Sequence, residues 1–131
     1  MNEMKLSLEL FSAGVSIIIV LAIFIKVFQY KQKLDVLKEI DRRKDMFKLT
    51  KEDKQYIASN LKEYKEKLLK VEGLTRLLFP ILITIGAILF LIFSFEETLI
   101  HLNVIIVAYI YLQIHRIHTR NYTKFLEELS K

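Results

Sequence analysis

Three histidines carry most of the side-chain chemistry open to this chain, and His101, His115 and His118 all fall within one short stretch of its 131 residues. His115 and His118 are three apart, so they share a helix face as paired metal ligands often do. Arg116 and Arg120 stand beside them and no third ligand is near, which favours anchoring among lipid phosphates over metal binding. A haem would need imidazoles placed on facing helices, and three from a single segment cannot supply that within one subunit. Cysteine is absent, which removes disulfides, thiol nucleophiles and thiolate metal sites. The sequence has no glycine-rich phosphate loop, no H-E-x-x-H, no G-x-S-x-G, and no pair of carboxylates at membrane depth for acid and base chemistry. No catalytic, cofactor-binding or metal site is expected, and the chain reads as a protein other than an enzyme.

Other polar residues deserve a role because they interrupt apolar sequence. Asn103 is expensive to expose to lipid and is expected to hydrogen-bond across to another helix, within the subunit or between copies. Glu96 and Glu97 separate two apolar runs. They read either as a hydrated turn or, with His101 and Asn103, as the acidic mouth of an oligomeric cation pore.

The elements that position these residues are long and apolar. Leu10 to Ile25, Leu77 to Phe95 and Thr98 to His115 are each near the roughly 20 residues that cross a hydrocarbon core about 30 Å thick. Ile81 to Phe93 is apolar on every face of a helix, which suits lipid or other membrane helices rather than a soluble core. The first run lacks the basic n-region and small-x-small cleavage site of a secretory signal, so an uncleaved anchor is expected. With three glycines and one proline there is little turn material, and the expected fold is all-α. Ser12, Ala13, Gly14 and Ser16 in the first run, and Gly86-Ala87 in the second, read as patches for close helix approach.

Charge sets the orientation. Of the 20 Lys and Arg residues, fifteen lie between Lys26 and Arg76 and four follow His115, leaving Lys5 alone for the other side. The positive-inside rule assigns the basic side to the cytoplasm and the N-terminus and Glu96-Glu97 to the exterior, with a bacterial cytoplasmic membrane the expected location. The net charge of +5 therefore reflects topology and a surface facing anionic lipid. Nucleic acid is not an expected partner, because acids interleave the basic segment and no binding fold is recognisable.

No glycine occurs between Val15 and Glu72, so the first span is expected to continue as a helix beyond the membrane. A break is expected at Leu49-Thr50, with Thr50 as N-cap and Glu52 and Asp53 in the first turn. Ile57, Leu61, Tyr64, Leu68 and Val71 then repeat with 4-3-4-3 spacing, a seam that reads as the interaction stripe of a coiled-coil-like stalk. Leu34, Leu37, Ile40 and Phe47 give the opposite arm a looser stripe, and Ile117, Tyr122, Phe125 and Leu129 give one to the tail. Gly73 and Pro80 read as breakers, with a packing kink favoured over a hinge. Ser94 and Glu97 resemble a capping box opening the third span.

The expected organisation is residues 1–29 as N-terminal segment and first span, 30–73 as a cytoplasmic helical hairpin, 74–115 as a transmembrane hairpin and 116–131 as a cytoplasmic C-terminal helix. Function is expected to be that of an accessory, assembly, immunity or regulatory subunit, working by self-association or a protein partner at the stalk. The alternative is a homo-oligomeric pore, a small ion channel or holin-like protein.

Overall fold

The computed structural model describes residues 2–131 and consists of three helices: α1 (Asn2–Asp45), α2 (Lys51–Ile92) and α3 (Phe95–Ser130). Each contains a stretch long and apolar enough to cross a membrane, and only 11 %, 6 % and 11 % of those stretches is buried within the chain. Phe11, Ile18, Phe24, Leu77, Leu91 and Ile106 are among the side chains left exposed. So much outward apolar surface is what a bilayer, and not water, solvates. The all-helical fold and the three candidate spans agree with the sequence pattern.

Contacts divide the chain into two units. The apolar unit takes α1 as far as Ile25 together with Leu74–Ile114, and the polar unit takes Lys26–Gly73 with His115–Lys131.

Within the apolar unit the buried side chains include small hydroxyls: Ser12, Ser16, Thr75 and Thr98 join Leu112. Lipid is as apolar as leucine, so helices here associate through close packing and polar contacts. Ser12 Oγ and His101 Nδ1 lie 2.7 Å apart and link α1 to α3. The fully buried Thr98 donates to the carbonyl of Leu89, which also accepts from the Phe93 amide where α2 ends. The small-residue patches contribute less than their composition suggests. A Cβ added at Gly14 would meet nothing within 4 Å, and one at Gly86 would make ordinary contact with Leu102 Cδ2 at 3.5 Å. Burial of Ser12 and Ser16, rather than a glycine notch, marks the packed face of α1. Pro80 lies inside α2, which continues through it to Ile92, and the carbonyl of Pro80 accepts from Thr84 Oγ1 at 2.8 Å.

The polar unit has a core of its own, formed by Leu37 and Ile40 of α1, Ile57 and Tyr64 of α2, and Tyr122, Leu126 and Leu129 of α3. Water supplies the driving force here, and each helix accordingly turns one stripe inward. Two residues depart from the stripes read in the sequence: Ile117 is about half exposed and Phe47 is 97 % exposed, while Leu126, outside the predicted tail stripe, is fully buried. Thr50 and Asp53 form a reciprocal capping box at the start of α2, with the Asp53 amide donating to Thr50 Oγ1 at 3.0 Å and the Thr50 amide to the Asp53 carboxylate at 3.1 Å. The same carboxylate meets Arg43 at 3.2 Å, tying the end of α1 to the start of α2. Lys44 donates to the carbonyls of Glu128 and Leu129, placing a cation at the negative end of α3.

Truncating Leu126 to Ala should cost about 2–5 kcal/mol, as for other fully buried leucines. Ile117→Ala should stay within about 0.5 kcal/mol. Denaturant unfolding of the detergent-solubilised chain, followed by circular dichroism, measures both; equal effects would mean that the polar unit is not packed as described.

Candidate anion-binding pocket and the exposed turn

The stripe continues toward the apolar runs with its spacing kept and its chemistry changed. On α1, Lys26, Tyr30 and Lys33 occupy one face; on α2, Tyr64, Lys67 and Val71; on α3, His115, His118, Thr119 and Tyr122. Together with Gln29 and Lys70 they line a cavity of about 340 Å³, within the range of small-ligand sites. Four lysines, of which Lys33, Lys67 and Lys70 are exposed, stand around it with two histidines and three tyrosines. No carboxylate lines the cavity.

Aromatic contacts hold the walls. Tyr30 stacks on His118 with centroids 3.9 Å apart and planes 5° from parallel. Tyr64 and Tyr122 meet at 4.3 Å. Lys33 donates to the Tyr64 hydroxyl at 3.1 Å, and the Lys67 ammonium lies 4.7 Å from the centre of the same ring, a cation–π contact. Carboxylates touch the rim instead: Glu63 reaches Lys67 at 3.1 Å in an exposed pair of small net value, and Glu72 reaches Arg120 at 3.3 Å in a part-buried one. The Nδ1 atom of His118 is buried without a hydrogen-bond partner.

Burial, and then the charge of Lys26, lowers the pKa of His118 below its ordinary value. Burial also raises that of Tyr122, keeping its phenol neutral. The pocket offers ammonium and imidazole groups, with no carboxylate base beside them and no thiol in the chain. Such a site suits holding an anion better than bond making.

The turn between α1 and α2 is the second unusual place. The Lys48 amide donates to the Arg43 carbonyl at 2.8 Å and the Phe47 amide to the Lys44 carbonyl at 3.0 Å, the pair of bonds that defines a Schellman motif. Its left-handed residue is normally glycine; here it is Phe47, with φ at 56° and the side chain 97 % exposed.

The residues singled out in the sequence fall in different places. Ile57, Tyr64 and Val71 are buried within the chain, and Leu61 and Leu68 are half-buried. In the apolar unit Glu97 pairs with Lys5 at 3.3 Å, and its amide is 3.4 Å from Ser94 Oγ, so only half of the suggested capping box is present. His101 holds Ser12 and lies 5.0 Å from the Phe93 ring. Glu96 and Asn103 are exposed. The pocket itself was missed by reading apolar stripes alone. Its signal was the heptad spacing carried past the last leucines into Lys26–Lys33 and His115–Tyr122. Among the described residues no three His, Asp or Glu side chains cluster as a metal site would. Compared with known protein families, with curated proteins and with solved structures, the chain matches none.

A pH dependence follows from His118. Its folded-state pKa lies below the unfolded value near 6.5, so the unfolded chain binds the proton more readily and stability falls as pH drops through 6.5. The groups facing it are Lys26 and Lys33 from α1, Lys67 and Lys70 from α2 and His115 on its own helix, with Glu63 and Glu72 engaged at the rim. The thermal midpoint measured between pH 8 and pH 5.5 should decline, and His118→Gln should flatten the slope. An unchanged slope in that variant would place the titration elsewhere.

Proposed function

We propose that this is a small non-enzymatic integral membrane protein, an accessory or regulatory subunit that docks a partner protein through the tip of a cytoplasmic helical hairpin. The observation that carries the proposal is Phe47. A bulky residue in the left-handed region costs roughly 1–2 kcal/mol, and an exposed phenyl ring adds solubility risk with no packing gain in the isolated chain. Glycine would satisfy the turn without either penalty. A phenylalanine there is accounted for by a partner that buries it, as aromatic anchors at interface centres do. Met46 beside it is also half exposed. Arg42, Lys48, Lys51 and Lys54 surround the turn in sequence and are exposed, against Asp45 and Glu52. The partner surface that fits is an apolar socket with an acidic rim.

This reading moves the contact away from the Ile57 to Val71 seam, three of whose residues are consumed by the chain's own core. The concentration of Lys and Arg outside the apolar runs supports the cytoplasmic assignment. The pore reading has less support: Glu97 is partnered by Lys5 and His101 by Ser12, which leaves Glu96 and Asn103 as exposed polar groups in that region.

Phe47→Gly separates stability from recognition. It should raise the unfolding free energy by about 1 kcal/mol while abolishing recovery of the partner with the affinity-tagged protein from its native membranes. A variant that still recovers the same partner in full would overturn docking at the tip. Orientation has its own test: in intact cells a cysteine at Ser59 should resist a membrane-impermeant thiol reagent and one at Glu96 should react, and the reverse pattern would invert the topology.

A further inference from the structure

We propose that the lysine-lined cavity of the polar unit is a binding site for a phosphate ester anion, either the headgroup of an anionic lipid or a soluble phosphorylated molecule. This goes beyond partner docking and does not depend on it. Four ammonium groups drawn from two helices, facing two imidazoles on a third, repel one another across a cavity that no carboxylate lines. Lys33, Lys67 and Lys70 are solvent-exposed and Lys26 is half-buried, so the cluster forms a basic mouth through which an anion can reach the cavity. The rim acids Glu63 and Glu72 answer Lys67 and Arg120 from outside. Neither acid lines the cavity itself.

The donor chemistry selects the anion. All four cationic lining residues on α1 and α2 are lysines, although the chain has arginines at its disposal, among them Arg116 and Arg120 on α3. Arginine's planar fork matches a planar carboxylate, whereas ammonium groups converging from several directions suit a tetrahedral phosphate whose oxygens point several ways. The buried Nδ1 of His118, lacking any partner in the chain, offers one more donor to an anion when protonated. Lysine stems and the rings of Tyr30 and Tyr64 supply apolar walls for the organic part of an ester.

Position favours a lipid source as much as a soluble one. Lys26 directly follows the apolar run that ends at Ile25, and His115 directly follows Ile114. Residues at the ends of spans stand at headgroup depth, where basic pockets between helices take phosphate headgroups.

The test uses the full chain purified in mild detergent. One arm titrates inorganic phosphate and pyrophosphate by calorimetry. The other reconstitutes the protein in nanodiscs of phosphatidylcholine with or without phosphatidic acid and reads retained lipid by native mass spectrometry. Lys33→Gln with Lys67→Gln should weaken binding about fivefold per lysine, about 25-fold together. Lys38→Gln with Lys62→Gln removes the same charge from exposed positions outside the cavity and should change affinity less than about twofold. Because Lys33 and Lys67 also contact Tyr64, a second readout uses the unaltered chain: anion binding should shift the imidazole nitrogen resonances of His118, assigned by their loss in His118→Gln. Retention of phosphatidic acid alone identifies the lipid as source, and response to free phosphate alone identifies a soluble ligand. Either result with cavity-dependent affinity supports the site. Binding in neither arm, equal losses from both lysine pairs, or bound anion that leaves His118 unmoved overturns it.

Discussion

Each of the three helices must pass from a stretch apolar on all sides to a stretch with a single apolar stripe, and the rest of the structure depends on how that change of environment is met. An α-helix satisfies its own backbone on either side of the change, so none of the three needs to break there. What differs is the source of cohesion. In the apolar unit it comes from hydroxyls and one imidazole, with Ser12 on His101 and Thr98 on the Leu89 carbonyl. In the polar unit it comes from burial of leucines, isoleucines and tyrosines. A single set of helices thus uses two packing chemistries, each suited to a different surrounding medium.

The lysine pocket follows from that change. Residues at the end of a span are selected for long basic and aromatic side chains that reach the interface, and lipid-facing ones simply extend outward. Those that flank the cavity bring their ammonium groups to one mouth, where Lys33, Lys67 and Lys70 stay exposed to solvent. Lys26, Lys33, Lys67 and Lys70 line the cavity of the polar unit together with three tyrosines and two histidines. Like charges gathered around one cavity raise the local positive potential, and the same convergence is what an anion site requires.

Much of the fold was legible because period and composition speak directly about environment. The three apolar runs, the cap at Thr50 and the inward position of Ile57, Tyr64 and Val71 all follow from spacing that one sequence displays. Less was legible where a residue type is used against its usual preference. Phe47 was assigned to a packing stripe because phenylalanine normally packs; only the backbone, turning left-handed at that residue, shows why it cannot. The tail's buried stripe runs through Leu126 and not Ile117, which shares the apolar character of a core position but faces outward. Gly14 suggested a close helix contact from its size, yet the space beside it is open. The pocket required three helices to be superposed by register, which no single segment reveals.

The two departures from local preference are informative together. Sequence rules for turns, caps and cores hold elsewhere in the polar unit: a reciprocal capping box at Thr50, a cation on the carboxyl end of α3, and leucines fully buried at positions 37 and 126. Against that background, a phenylalanine in a glycine position and four lysines gathered at one cavity without a carboxylate in its lining are local conflicts that folding alone does not reward. Proteins that are otherwise locally consistent tend to retain such conflicts where a ligand or partner resolves them. The two sites lie at different levels of the same bundle, one at the turn after Asp45 and one beside the apolar runs, and they call for opposite chemistries, an apolar socket and an anion. The same two helices, α1 and α2, carry both the Lys33 and Lys67 walls of the cavity and the turn that presents Phe47, so the two departures share one scaffold.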